Sequence, residues 1–221
     1  EVLGVSGLMG AGRTEVMETI FGLRKADSGT VTIKGKPVKI NGTAAAIRYG
    51  LAFISEDRKL YGLNLVGSVK TNITLAYMKS ILKGKLLLDF KKEKVIVDQK
   101  IKELKIKTSS RDTIVGTLSG GNQQKVIIAK WLLGNPDILI MDEPTRGIDV
   151  GAKSEIYKII DDLVKQGKGV IMISSEMPEL LGMSDRAIVM HDGTITGEFR
   201  REEFDQEKFM ACAIGEGVKQ S

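Results

Sequence analysis

Short, uninterrupted apolar segments alternate with amphipathic segments along much of this 221-residue chain. Residues 51–54, 138–141 and 170–173 each contain only apolar side chains. Between the last two lies 152–164, where apolar residues recur at the spacing of one helix face. Strands without polar alternation are buried on both sides, and the helices that connect such strands cover a parallel sheet. The sequence therefore predicts an α/β fold with a mainly parallel sheet.

Other segments fit around this sheet. Further strands are predicted at 2–6, 187–190 and 195–199, a hairpin at 30–40, and helices at 43–49, 119–133 and 203–214. A helix after the first strand would bury Val16, Ile20 and Leu23 on one face, and 68–107 would be mainly helical. We expect a single domain, with a core at about 1–62 and 126–200, a helical subdomain at about 63–125, and a C-terminal helix and tail at 201–221.

Composition excludes several classes of protein. No apolar run reaches the ~18–20 residues that a membrane-spanning helix needs, and no signal-peptide pattern opens the chain. The single cysteine, Cys212, excludes an internal disulfide framework. We expect it to be a small apolar residue in the last helix.

The net charge of +5 is concentrated in one segment. Residues 79–107 hold ten lysines, Lys85 among them, and four acidic residues. Such a segment could contact nucleic acid or an acidic membrane, but a solvated lysine face is the favoured interpretation. Because no interleaving of arginine with aromatic residues supports base stacking, we expect no nucleic-acid partner.

A glycine-rich loop separates the first predicted strand from the following helix. Residues 7–14 read Gly-Leu-Met-Gly-Ala-Gly-Arg-Thr, which matches a phosphate-binding loop with arginine in place of lysine. In such loops the backbone wraps the phosphates, the basic residue reaches the terminal ones, and the hydroxyl ligates magnesium. The alternative is a glycine-rich turn without a ligand. The predicted nucleotide-binding residues are Gly7, Met9, Gly10, Ala11, Gly12, Arg13, Thr14 and Glu15, with Thr14 also a magnesium ligand.

Two of these positions are unusual for a phosphate site. Arg13 keeps the positive charge, but its guanidinium is bulkier and planar, so it is not equivalent to lysine. A carboxylate at Glu15 would repel phosphate if it faced the site. We expect weakened or altered nucleotide binding rather than none.

Two acidic residues, Asp142 and Glu143, follow the apolar run 138–141. At the end of a buried strand, Asp142 would hold the magnesium shell and Glu143 would polarise the attacking water in phosphoryl transfer. A third motif, 117–125, reads Thr-Leu-Ser-Gly-Gly-Asn-Gln-Gln-Lys at the start of a predicted helix, whose free N–H groups suit an anion.

These motifs resemble those of the ABC-type ATPases over nearly the whole chain. The resemblance is closest to the second nucleotide-binding domain of bacterial sugar-import ATPases of the ribose, xylose and galactose type. The segments that carry it are 4–15, 54–59, 118–125, 142–153 and 173–179. It implies a P-loop NTPase (RecA-like) core with an inserted ABC α-helical subdomain. The antiparallel strands that open an ABC domain would be partly missing, since one strand precedes the loop, so we expect a fragment of a longer subunit.

The resemblance also implies roles for further residues. Glu56 stands where ABC domains usually carry glutamine and Ser175 where they carry histidine, and both, with Glu143, are expected catalytic residues. The signature motif would contact the phosphate of a nucleotide held by another ATPase domain, through Ser119, Gly120, Gly121 and Asn122. His191, in a predicted exposed turn, is not expected to be catalytic.

The implied function is ATP-driven sugar uptake, with ribose the favoured sugar and with ATP and Mg²⁺ bound. This domain would have a degenerate nucleotide site of its own and would complete the site of a sibling ATPase domain. Its other partners would be transmembrane permease subunits and, indirectly, a periplasmic or extracellular sugar-binding protein. The expected location is the cytoplasmic face of the bacterial membrane, as a peripheral protein. Two alternatives remain open: an autonomous ATP hydrolase, and a non-transport ABC module acting on ribosomes or DNA.

Overall fold

The computed structural model describes residues 1–83 and 87–216. The strands are β1 (Val2–Gly7), β2 (Val31–Ile33), β3 (Lys36–Val38), β4 (Leu51–Ile54), β5 (Leu82–Lys83), β6 (Leu87–Leu88), β7 (Ile138–Asp142), β8 (Gly169–Ile173), β9 (Arg186–His191) and β10 (Thr194–Arg200). The helices are α1 (Arg13–Phe21), α2 (Thr43–Arg48), α3 (Val69–Thr74), α4 (Phe90–Glu103), α5 (Gly120–Leu132), α6 (Val150–Lys165), α7 (Met177–Met183) and α8 (Gln206–Ala213). Shorter helical turns lie at Arg58–Gly62, Leu75–Ile81, Val115–Thr117 and Arg201–Glu203.

Six strands form one mixed, mostly parallel sheet in the order β10-β9-β1-β8-β7-β4. β1 pairs in parallel with both β8 and β9, so that Gly4 lies between Met172 and Ala187. β10 is paired antiparallel to its neighbour β9. The reversal takes place at Asp192 and Gly193, whose φ angles of 44° and 76° suit a tight hairpin turn. The prediction of a mainly parallel α/β sheet is confirmed.

The apolar strands are buried as their sequences indicate. All four residues of β4 are buried, as are Leu139, Ile140 and Met141 of β7. Such strands can be buried on both faces only if helices cover the sheet, which explains why helices connect them.

The buried face of α1 differs from the prediction. Met17 and Phe21 are buried, whereas Val16 and Leu23 are exposed, and Phe21 stacks on Phe53 of β4 with ring centroids 5.5 Å apart. Helical spacing along the chain was the only sequence signal that indicated Val16 and Leu23 as buried residues. The helix turns instead toward the aromatic partner, which buries more apolar area.

The lysine-rich segment is not a continuous helical region. A two-stranded antiparallel pair, β5 with β6, interrupts it before α4. Asp89 caps α4 by accepting a hydrogen bond from the Lys92 N–H at 3.0 Å, which starts a new helix at Phe90. Lys85 lies outside the described residues.

The last helix is shorter than predicted. Asp205 accepts a hydrogen bond from the Lys208 N–H at 2.9 Å, so α8 begins at Gln206 after a separate 3₁₀ turn. Cys212 is buried in α8, as expected for a small apolar residue. The end of the predicted tail, 217–221, lies outside the described residues.

Contacts divide the chain into two compact units. The first contains Glu1–Phe53, Pro136–Pro144 and the described residues from Asp162 onward, and the second contains the described residues of 54–135 and 145–161. The predicted boundaries at about 62 and 125 remain a prediction. Across 1–83 and 87–216, none of the helices combines the length and apolarity needed to cross a membrane.

Candidate functional site

The loop between β1 and α1 has a backbone that only glycine adopts readily. Gly7, Gly10 and Gly12 have φ angles of 146°, 85° and 87°. A Cβ on Gly7 would also lie 2.4 Å from the Met190 carbonyl oxygen. Gly12 is the N-cap of the nine-residue helix α1, so the first N–H groups of that helix face the loop. Free N–H groups at a helix start favour an anion such as phosphate.

The turn between β9 and β10 supports this loop, a contact that the sequence analysis missed. The Gly193 N–H donates a hydrogen bond to the Ala11 carbonyl oxygen at 3.1 Å. The Asp-Gly pair indicated a hairpin, but no local pattern shows what a hairpin packs against. Among the other predicted loop residues, Met9 is 94% exposed and Glu15 is exposed.

Thr14 and Asp142 meet although 128 positions separate them. The Thr14 hydroxyl donates a hydrogen bond to Asp142 Oδ2 at 2.7 Å. Asp142 Oδ1 is buried and has no hydrogen-bond partner within the described part of the chain. Burial is the main cause that raises the pKa of Asp142 to about 6, and the Thr14 hydrogen bond opposes it.

This arrangement fits the predicted magnesium site. A buried carboxylate oxygen without a partner carries a desolvation cost that a bound cation would remove. Among the described residues, no cluster of three or more His, Cys, Asp or Glu side chains could hold a metal alone. Mg²⁺ commonly binds through one or two protein oxygens together with water and substrate phosphates. Thr14 and Asp142 supply such a partial set.

Glu143 follows Asp142 in a strained conformation. Its φ angle is 46°, which is uncommon for a residue other than glycine, and its N–H donates to the Ile173 carbonyl oxygen at 3.0 Å. The Glu143 carboxylate accepts hydrogen bonds from the hydroxyl and the backbone N–H of Ser175. Burial raises the pKa of Glu143, and the bonds from Ser175 oppose that shift. Ser175 therefore orients the carboxylate predicted to act on water.

Arg13 is attached to the same cluster. Its guanidinium donates a hydrogen bond to the Ser174 carbonyl oxygen at 3.2 Å, and the side chain is partly buried. A guanidinium has five N–H donors, so this contact leaves others for a ligand. The Ser174 hydroxyl donates to the buried Glu179, which holds the end of β8 in place. The first unit thus brings together Arg13, Thr14, Asp142, Glu143 and Ser175.

The predicted signature residues lie in the second unit, at the start of α5. Ser119 is the exposed N-cap, while Gly121 is buried. A Cβ on Gly121 would lie 2.4 Å from the Ala152 Cβ, and one on Gly120 would lie 2.9 Å from an Arg58 guanidinium nitrogen. Gly121 is therefore required for close packing, whereas the flexible Arg58 side chain could move away from a methyl group at position 120.

Glu56, the third predicted catalytic residue, also belongs to the second unit. Its carboxylate pairs with the Arg146 guanidinium. Arg58, which the sequence analysis did not single out, donates hydrogen bonds to the carbonyl oxygens of Arg146 at 2.6 Å and Gly147 at 3.0 Å. The two arginines and Glu56 thus connect the segment after β4 with the loop before α6.

His191 is not in an exposed turn, contrary to the prediction. It is the last residue of β9, and its Nδ1 lies 2.9 Å from the Ala213 carbonyl oxygen at the end of α8. Its side chain is 33% exposed. The ring contacts a helix end and takes no part in the cluster around Asp142.

Comparison with known proteins gives a consistent result. A family model described as ABC transporter matches residues 1–146. The chain is 53% identical over 216 residues to the "Xylose import ATP-binding protein XylG" of Geobacillus kaustophilus, which covers 97% of the chain and 43% of that relative. It is 54% identical over 215 residues to the "Ribose import ATP-binding protein RbsA" of Caldanaerobacter subterraneus, again covering 97% of the chain and 43% of the relative. The chain thus spans less than half the length of these curated relatives.

Solved structures show the same fold. An ATP-binding cassette of an ABC transporter in its ADP conformation aligns with a TM-score of 0.78 and 23% identity, covering 97% of this chain and 88% of the other. The protein cbiO1 from Clostridium perfringens, part of an ABC transporter complex, aligns with a TM-score of 0.77 and 23% identity, covering 95% and 81%. The sheet, the glycine loop and these matches lead to one conclusion: the chain belongs to the ABC transporter family.

Proposed function

We propose that this chain is an ATP-binding domain of a bacterial ABC importer for a monosaccharide, with ribose favoured. The names of its relatives, which are more than 50% identical and import xylose or ribose, support this assignment. As such a domain it would act at the cytoplasmic face of the membrane, with permease subunits and, through them, an extracytoplasmic sugar-binding protein. ATP binding would be linked to permease conformation through the segment near Glu56–Val69.

The observation that carries the ATP-binding part is the contact between Thr14 and Asp142, with Asp142 Oδ1 buried and unpartnered beside Glu143. The loop N–H groups would hold the phosphates and Arg13 would donate to their oxygens. Glu143 would accept a proton from the attacking water, and its raised pKa suits a general base. When bound at Thr14 and Asp142, Mg²⁺ would supply charge neutralisation of the phosphates.

We further propose that this site is degenerate and that the domain completes the site of a sibling ATPase domain. Three features of the chain's own site favour low activity. Arg13 shares its guanidinium with the Ser174 carbonyl oxygen, Glu15 adds a carboxylate to the first turn of α1, and Ser175, which stands where ABC domains usually carry histidine, cannot carry a positive charge. The exposed Ser119, with Gly120 and Gly121, would present hydrogen-bond donors to the sibling's nucleotide.

The test is the MgATP hydrolysis rate of this chain, alone and mixed with a sibling ATPase domain. We expect little turnover alone, stimulation of the sibling, and loss of that stimulation in Ser119→Ala. The serine variant is preferable to Gly121→Asp, because a side chain at Gly121 would displace Ala152 and disturb packing.

An autonomous hydrolase is the second candidate, and the intact geometry of Glu143 and Asp142 favours it. Turnover near one per second by the chain alone, abolished by Glu143→Gln, would establish that candidate and reject the degenerate site. A non-transport module would instead bind nucleic acid. Binding should be tested at ~150 mM salt, because a contact driven only by phosphate charge weakens steeply at that concentration.

A further inference from the structure

The side chain of Asn122 lies between the signature serine and a backbone segment. Its Oδ1 accepts a hydrogen bond from the Lys107 backbone N–H at 2.7 Å, and its Nδ2 donates to Ser119 Oγ at 2.8 Å. A backbone N–H can only donate, so the contact with Lys107 establishes which amide atom is the oxygen. The amide nitrogen therefore faces Ser119, and it can only donate to it.

The direction of this bond restricts the hydrogen of the Ser119 hydroxyl. A hydroxyl oxygen that accepts from an amide must direct its own hydrogen elsewhere. Ser119 is exposed, and among the described residues its side chain makes no capping hydrogen bond to α5. Its hydrogen is therefore available to an acceptor beyond the start of α5.

The segment that contains Lys107 is held in place by contacts that do not involve Asn122. Lys125, whose side chain is 2% exposed, donates to the Lys105 carbonyl oxygen at 3.0 Å and pairs with Glu155 at 2.5 Å. These contacts fix the segment containing Lys107 against α5. Removing the Asn122 amide should therefore leave the local fold in place.

We propose that Asn122 is a positioning residue, which turns the Ser119 hydroxyl toward the terminal phosphate of the sibling's nucleotide and affects hydrolysis through that hydroxyl. This inference rests on the proposed function, in which the signature completes a sibling's site. The alternative is a direct contact of Asn122 with the phosphate, because its amide oxygen and one of its two amide N–H groups are bonded within the chain and the second N–H is left.

A double-mutant cycle tests this inference in the protein expressed with its sibling ATPase domain. The hydrolysis rate is measured for the wild type, Ser119→Ala, Asn122→Ala and the double variant. Loss of one orienting hydrogen bond should lower kcat by about tenfold in Asn122→Ala. In the Ser119→Ala background the same change should have no further effect, since Asn122 acts through the serine.

The opposing outcomes separate the two proposals. If Asn122→Ala lowers kcat equally with and without Ser119, Asn122 acts independently and the positioning role is wrong. If Ser119→Ala alone keeps the wild-type rate, the proposed function is what fails.

A second variant distinguishes the loss of the hydrogen bond to Ser119 from a loss of the fold. Asn122→Asp keeps the acceptor for the Lys107 N–H but offers Ser119 an acceptor in place of a donor, which draws the serine hydrogen away from the phosphate. We expect Asn122→Asp to unfold at the wild-type temperature and to lose at least as much kcat as Asn122→Ala. A wild-type rate in Asn122→Asp would overturn the inference.

Discussion

At the scale of one residue, the sequence motif around Arg13 and the folded structure give different information about its side chain. The loop pattern predicts that Arg13 is the basic residue that reaches phosphates. Only the folded chain places its guanidinium against the Ser174 carbonyl oxygen, 161 positions away. The charge is thus retained, but part of its hydrogen-bonding capacity is used within the protein.

Replacement of this side chain tests its role in ATP binding. A hydrogen bond to a charged group contributes about 1.5–3 kcal/mol, so Arg13→Ala should raise the Kd for ATP by roughly 10- to 100-fold. Titration calorimetry measures the change. Arg24→Ala is the matched control, because Arg24 pairs with Glu18 in an exposed ion pair. An unchanged Kd in Arg13→Ala would mean that the remaining guanidinium donors do not face the nucleotide.

Lys130 carries a pH dependence of stability. Its ammonium donates to the Gly62 carbonyl oxygen at 2.6 Å, and burial lowers the pKa of Lys130 from 10.5 to about 8. Between pH 8 and about 10 the unfolded chain therefore binds more protons, so the free energy of unfolding rises with pH in this window. The rise from this group is at most about 3 kcal/mol.

Urea unfolding of the wild type and Lys130→Met at both ends of this pH range measures the effect. The stability of the wild type relative to the variant should increase from the lower to the higher pH. An equal difference at both values would show that Lys130 titrates normally in the folded protein.

At the scale of elements, α5 begins with the proposed signature residues and has a packed end. The exposed Ser119 and the partly buried Gly120 lie at its beginning, and Gly134 follows its last turn. A Cβ on Gly134 would lie 1.9 Å from the Tyr77 ring, which packs edge-on against Trp131 of α5. Packing at Gly134 can therefore hold the C-terminal end of α5 while its N-terminal end at Ser119 stays exposed.

This contact makes Gly134 intolerant of a side chain. Gly134→Ala would force Tyr77 away from Trp131 and should lower the free energy of unfolding by about 1–3 kcal/mol. Gly182→Ala in α7 is the matched control, since among the described atoms nothing lies within 4 Å of the added methyl group. Chemical denaturation compares the two variants, and equal stability would contradict the close approach of Tyr77.

At the scale of the whole molecule, the sheet brings the loop after β1 and the acids after β7 to the same set of carboxyl ends. β8 lies between these two strands in parallel register with both. Ligands of open α/β sheets bind at that edge, because loops and helix starts converge there. Binding of ATP with magnesium should therefore stabilise the folded chain as a whole.

Thermal unfolding measures this linkage. MgATP at 100 times its Kd adds about 2.7 kcal/mol, which for a chain of this size raises Tm by roughly 5–10 °C. EDTA should reduce the rise in Tm of the wild type. Asp142→Asn should show a smaller rise in Tm than the wild type even with magnesium present. A wild-type shift that EDTA leaves intact would remove Thr14 and Asp142 as the cation site.

Local patterns were sufficient to predict many of the elements and to select the candidate site residues. The apolar runs predicted β4, β7 and β8, the Asp-Gly pair predicted the turn between β9 and β10, and the glycine loop indicated a phosphate site. Each of these signals depends on neighbours in the chain, because apolar runs, turn dipeptides and glycine-rich loops are local sequence patterns.

Tertiary structure alone decided which atoms meet. The buried face of α1 follows from Phe53, the unpartnered oxygen of Asp142 from burial beneath neighbouring elements, and the direction of Asn122 from the Lys107 N–H. Spacing along the chain identifies residue types and faces, but burial and hydrogen-bond direction depend on partners brought together by folding. For this reason the sequence by itself identified the family and the candidate site residues, while the folded chain determined which of their atoms meet and which are buried.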